Sequence, residues 1–68
     1  MKELERQLKA LANRRRLAIL KHLKTNREDN VSNIAKAIKL SFKSTSHHLR
    51  LLSNADLLEK EQKGLFVF

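Results

Sequence analysis

Cysteine, proline, tryptophan and tyrosine are absent from this 68-residue chain, and glycine occurs once, at Gly64. Without cysteine there is neither a disulfide nor a thiolate metal site, so packing must hold the fold. The lack of proline and the single glycine leave no linker or low-complexity segment to mark a domain boundary. No apolar run approaches the roughly 18 residues of a membrane span. The N-terminal MKELERQLKALA is amphipathic, unlike the hydrophobic stretch of a signal peptide. The chain therefore reads as soluble, with the cytoplasm as its expected home. A chain this short buries only about 60% of the surface its unfolded form exposes, enough for one core and one domain over residues 1–68.

Catalytic constellations are lacking as well. There are no paired carboxylates, no Ser/His/Asp set at a workable spacing and no glycine-rich phosphate loop, which points away from an enzyme and from any cofactor. Acidic residues are scarce: 7 against 15 Lys and Arg, for a formal net charge of +8. From Arg6 to Arg27, both included, there are eight basic residues and no acidic one; from Asn30 to Ala55 there are four, Lys36, Lys39, Lys43 and Arg50, again with no acid. A surface biased in this way attracts polyanions, and the excess is of the kind expected of a nucleic-acid-binding domain.

The chain that remains is mostly helical in pattern. Leu4, Leu8 and Leu11 form one apolar stripe on a first helix over residues 1–12. Asn13 caps a second helix over 13–24 that turns Leu17, Leu20 and Leu23 to one face with Ile19 beside them, and Thr25 to Asn30 is a polar connection. Asn30 is the expected N-cap of a third helix burying Val31, Ile34, Ala35 and Ile38, and Ser41 caps a fourth, from Phe42 to about Ala55. The two-residue step Lys39-Leu40 between them gives residues 30–55 the spacing of a helix-turn-helix. From Leu57 the period changes: Leu57 to Glu61, a turn at Gln62-Lys63-Gly64, then Leu65 to Phe68 read as a hairpin over 57–68. The expected fold is mainly α with a small β-hairpin: a winged helix-turn-helix, four helices followed by a two-stranded wing.

The fourth helix carries the most information. At 100° per residue Thr45, Leu49 and Leu52 share one face while Lys43, His47, Arg50 and Asn54 share the opposite one, flanked by Ser44 and Ser46. Short hydroxylated side chains allow close approach to a second surface, and Ser, His, Lys and Arg can donate to base edges or phosphate oxygens, whereas acidic residues would be repelled. A strong helix cap accounts for part of this pattern but not for the outer face. His47 and His48 diverge by 100° on a helix and cannot chelate one ion from it, so no metal site is expected there. His48 reads as a partly buried flank residue with an internal hydrogen bond, and His22 as an isolated surface residue.

These residues carry a resemblance. LANRRRLAILKHL followed by VSNIAKAIKLSFKSTSHHLRLLSNADLLEKEQKGLFVF, residues 11 to 68, closely resembles the ArsR-type winged-helix transcriptional repressors of bacteria and archaea. The resemblance implies a sequence-specific binder of double-stranded DNA, a transcriptional regulator and repressor, usually a homodimer. Its helix from Ser41 would enter the major groove, and its hairpin would reach the flanking backbone or minor groove. Carried over by position, Lys43, Ser44, Ser46, His47 and Arg50 would face DNA, with Lys63 and Gly64 at the wing tip. The chain departs from the family where Asn13-Arg14-Arg15-Arg16 replaces a common Asp-Pro-Thr-Arg, and where Lys39 and Asp56 stand in place of glycines. A non-glycine residue held at positive φ there costs on the order of 1 kcal/mol. The cysteine or His/carboxylate ligands of metal-sensing members are not present, so metal sensing is not expected.

Two other readings compete. A winged helix serving protein contact or dimerisation would present an apolar outer face, and a binder of single-stranded RNA would need exposed aromatics for stacking. Because Leu65-Phe66-Val67-Phe68 is apolar on both faces, one face needs a cover. Phe66 or Phe68, with the Leu4/Leu8/Leu11 helix, is expected to pack against a second subunit or a further C-terminal segment.

Overall fold

The computed structural model describes residues 1–61 and 63–68. In chain order the elements are α1 (Lys2–Leu11), α2 (Arg14–Asn26), β1 (Glu28–Asn30), α3 (Val31–Ile38), α4 (Phe42–Asn54), β2 (Glu59–Lys60) and β3 (Leu65–Val67). Four helices and a wing appear in the expected order. The sheet, however, has three strands and not two. β3 lies in the centre, antiparallel to both β1 and β2, with Asp29 opposite Phe66 and Phe66 opposite Lys60. The segment expected to be only a polar connection thus supplies the third strand, and α2 runs on to Asn26.

The helix starts follow from side chains that satisfy otherwise free first-turn amides. Asn13 Oδ1 accepts from the Arg15 and Arg16 amides at 2.9 and 3.2 Å, Asn30 Oδ1 from Asn33 at 2.8 Å, and Ser41 Oγ from Ser44 at 3.1 Å. The two helices of the helix-turn-helix end alike. Lys39, at φ 56°, donates its amide to Lys36 O while Leu40 donates to Ala35 O; Asp56, at φ 60°, donates to Ser53 O while Leu57 donates to Leu52 O. Each pair is the doubled hydrogen bond of a Schellman turn, which requires a left-handed residue and usually takes glycine there. The glycine-to-lysine and glycine-to-aspartate departures therefore keep the turn and accept its strain.

The core joins Ala10 of α1, Ile19, Leu20 and Leu23 of α2, Ile34 of α3, Leu49 and Leu52 of α4, then Ala55, Leu58 and Phe66. Ile19, Leu23, Ile34, Leu49 and Leu52 are fully buried, each worth about 1.5–3 kcal/mol relative to exposure. Thr45 is also fully buried, and its Oγ1 has no hydrogen-bond partner among the described residues.

Leu17, Phe66 and Leu11 lie otherwise than expected. Leu17 is half exposed, because the α2 face that meets α3 and α4 is that of Ile19, Leu20 and Leu23. Phe66 lies inside the chain, 6% exposed, with Lys60 Nζ 6.0 Å from its ring centre, and so is not open to a partner subunit. Leu11 packs against the core, whereas Leu4, Leu8 and Phe68 are exposed. The helix α1 is held by its other flank: Ala10 is buried, and Gln7 Nε2 donates to Ala55 O at 3.1 Å. Arg16 completes the attachment by donating from Nε to Ala10 O at 2.8 Å and from Nη2 to Lys9 O at 3.4 Å, a cation on the negative end of the α1 dipole. Among the described residues no helix is long and apolar enough to cross a membrane.

Candidate nucleic-acid interface

The fourth helix is seated on the core by Thr45, Leu49 and Leu52, each 0% exposed, and this fixes which side looks out. Lys43, His47, Arg50 and Asn54 are all exposed on that outer side. Between α4 and the wing lies a cleft of about 1020 Å³ whose walls bring Lys43, Ser44, Ser46, His47 and Arg50 together with Gly64. Among the described residues no acidic one lines it. Six of the seven expected site residues therefore share one surface. Lys63 is exposed near the wing tip but does not line the cleft. Of the tip turn, Gln62 lies outside the described residues, and Gly64 adopts φ 75° with its amide donating to Glu61 O at 3.2 Å.

Further residues reach the same cleft without having been singled out for it: Val31, Phe42, Ser53 and Lys60. Lys60 adds a cation from the wing opposite those of α4. Its place was hidden because only the pairing of β2 with β3 decides which side of the hairpin meets the helix.

Within the outer face Arg50 Nη2 approaches His47 Nδ1 at 3.4 Å, so the guanidinium can donate to the ring and the two side chains act as neighbours. His48 behaves as expected of a flank residue. It is half-buried, and its Nδ1 lies 3.4 Å from Arg16 Nη1. Burial, with the positive charges of Arg16, His47 and Arg15, holds its pKa below the ordinary histidine value, so His48 is neutral at pH 7 and can accept from Arg16.

His22 is not the isolated surface residue it was expected to be. Its Nε2 meets Asp29 Oδ2 at 2.8 Å, and Asn26 Nδ2 lies 3.3 Å from its Nδ1. Asp29 Oδ1 accepts from the Asn30 amide at 2.8 Å and from Asn33 Nδ2 at 2.9 Å, so one carboxylate ties α2, β1 and α3 together behind the wing. Burial alone would push this carboxyl up. The hydrogen bonds from His22, Asn33 and Asn30, with the charge of His22, outweigh that and hold it below the ordinary aspartate value.

Comparison with known proteins gives the family. The model of the bacterial regulatory proteins of the arsR family matches residues 13–60, from the cap of α2 to the end of β2. The chain belongs to the ArsR family. A relative, the arsenical resistance operon repressor of Bacillus subtilis (strain 168), is 29% identical over 68 residues, and the chain spans 65% of that relative's length. Soft thiolate chemistry is not open to this ArsR chain, which has no cysteine, and the described residues form no cluster of three His, Asp or Glu able to hold a metal ion. These residues therefore do not fit a metal centre.

Proposed function

We propose that this ArsR-family chain binds double-stranded DNA sequence-specifically as a transcriptional regulator, a repressor acting in the cytoplasm. The helix α4 lies in the major groove, where Arg50 and His47 reach base edges, Lys43, Ser44 and Ser46 contact base or backbone, and Lys63 with Gly64 holds flanking phosphates. One observation carries the reading. A helix locked to the core by Thr45, Leu49 and Leu52 presents an exposed, hydroxylated and basic opposite face on a cleft lined, among the described residues, by no acidic one. The role requires no catalysis and no cofactor. Two copies pair through exposed apolar side chains, Leu4 and Leu8 one turn apart on α1 and Phe68 after β3.

Selection from a random duplex library, with titration of selected and scrambled duplexes over a range of salt, tests this. Scrambled duplex should bind with a Kd of roughly 10⁻⁴ to 10⁻⁶ M and weaken steeply with salt as counterions are released. Lys63→Ala should weaken all duplexes about equally and lower the salt slope by about one unit, the mark of one lost phosphate contact. Binding that is flat in salt, or a selection that enriches nothing, contradicts the proposal.

A further inference from the structure

Of the exposed residues in the first turn of α4, Phe42, Lys43 and Ser44, only Phe42 has no polar side-chain atom. Its ring is 59% exposed and stands outside the core cluster, so packing does not account for it. On one side Phe42 overlooks a shallow depression lined by Ala35 and Leu40, which leaves most of the ring in water. On the other it stands at the cleft wall with Lys43, Ser46 and Arg50.

Position gives the exposed ring a task. In a helix each Cα–Cβ bond tilts toward the N-terminus, so the side chain of the first residue projects ahead of the helix. A recognition helix meets base edges with its N-terminal residues. Major-groove edges are polar except for one group, the C5 methyl of thymine, and Phe is among the side chains that pack on it. We infer that Phe42 is a specificity residue whose ring covers the C5 methyl of a thymine at one position of the bound site. Lys43, Ser44 and Arg50 then read or hold polar groups, and Phe42 discriminates by the presence of a methyl. A cytosine lacking that methyl is rejected at this position, while 5-methylcytosine regains part of the contact.

This inference rests on α4 lying in the major groove, and the test separates the two. Each thymine of a selected duplex is replaced in turn by deoxyuridine, which removes only the methyl group. At one position the wild-type chain should lose about fourfold in affinity, the worth of one buried methyl. Phe42→Ala should bind the thymine and deoxyuridine duplexes alike, and Phe42→Leu, still apolar, should keep part of the difference. Thermal melting of both variants should match the wild type, since the ring lies outside the core. If specific binding is seen but no thymine is methyl-sensitive, or if Phe42→Ala keeps the full fourfold loss, the role of Phe42 is overturned while the groove reading stands. If the wild-type chain shows no sequence preference, both fall.

Discussion

Replacing Asp29 with alanine removes three hydrogen bonds at once: His22 Nε2 at 2.8 Å, the Asn30 amide at 2.8 Å and Asn33 Nδ2 at 2.9 Å. The losses are unequal. Asn30 and Asn33 are exposed and can turn to water, whereas the Asp29 and His22 side chains are only 18% and 20% exposed. The His22 contact therefore keeps most of its value, and the total cost should be about 2 kcal/mol, within the range for a hydrogen bond to a charged group. For a domain this small that is a fall in Tm of about 10 °C. The loss should be greatest at β1, seen as faster amide exchange over Glu28–Asn30. A pH signature follows as well. The carboxyl titrates lower in the folded chain than in the unfolded one, so its stabilisation is complete above the unfolded value and is lost as pH falls through the folded one. Below about pH 4 the wild type should lose stability more steeply than Asp29→Ala. Melting curves of both proteins from pH 2 to 7 measure this. A Tm change of a degree or two, or parallel acid slopes, would refute the view that this carboxylate ties the helices to the wing.

Thr45→Val should raise stability by about 1 kcal/mol in chemical denaturation, because it removes a fully buried hydroxyl that has no partner among the described residues and keeps the β-branched shape. Lys39→Gly should add about 0.5–1 kcal/mol by relieving the left-handed residue at the end of α3, and Asp56→Gly should add less, since Asp tolerates that conformation better. Equal gains at the two positions would show that the strain does not follow residue type.

Much of this was legible in local chemistry. Asn13, Asn30 and Ser41 each cap the helix that follows, and the i, i+4, i+7 row Thr45, Leu49, Leu52 is the buried face of α4. The two glycine positions held by Lys39 and Asp56 were marked as places of strain, and both have positive φ. What stayed hidden depends on tertiary partners. The polar triplet Glu28–Asn30 has no strand signal of its own and is a strand because β3 offers it an edge. The pairing of His22 with Asp29 links two elements seven residues apart. The Leu4/Leu8/Leu11 stripe was expected to face a second subunit or a further C-terminal segment, yet Leu11 packs on the core, and α1 is anchored through Gln7, Ala10 and the Arg16 guanidinium. Phe66 could not be told from Phe68 by pattern, and only the packing beneath β3 makes one interior and the other exposed.

The most direct test of the account compares the specific with the non-specific affinity of Arg50→Ala and His47→Ala, on selected and scrambled duplexes at several salt concentrations. Each substitution should cost about 1 to 3 kcal/mol on the selected site and much less on the scrambled one, because a lost base contact removes discrimination as well as affinity. Their ratio of specific to non-specific affinity should therefore fall by roughly 5- to 150-fold. A ratio unchanged in both variants would contradict the placing of α4 in the major groove.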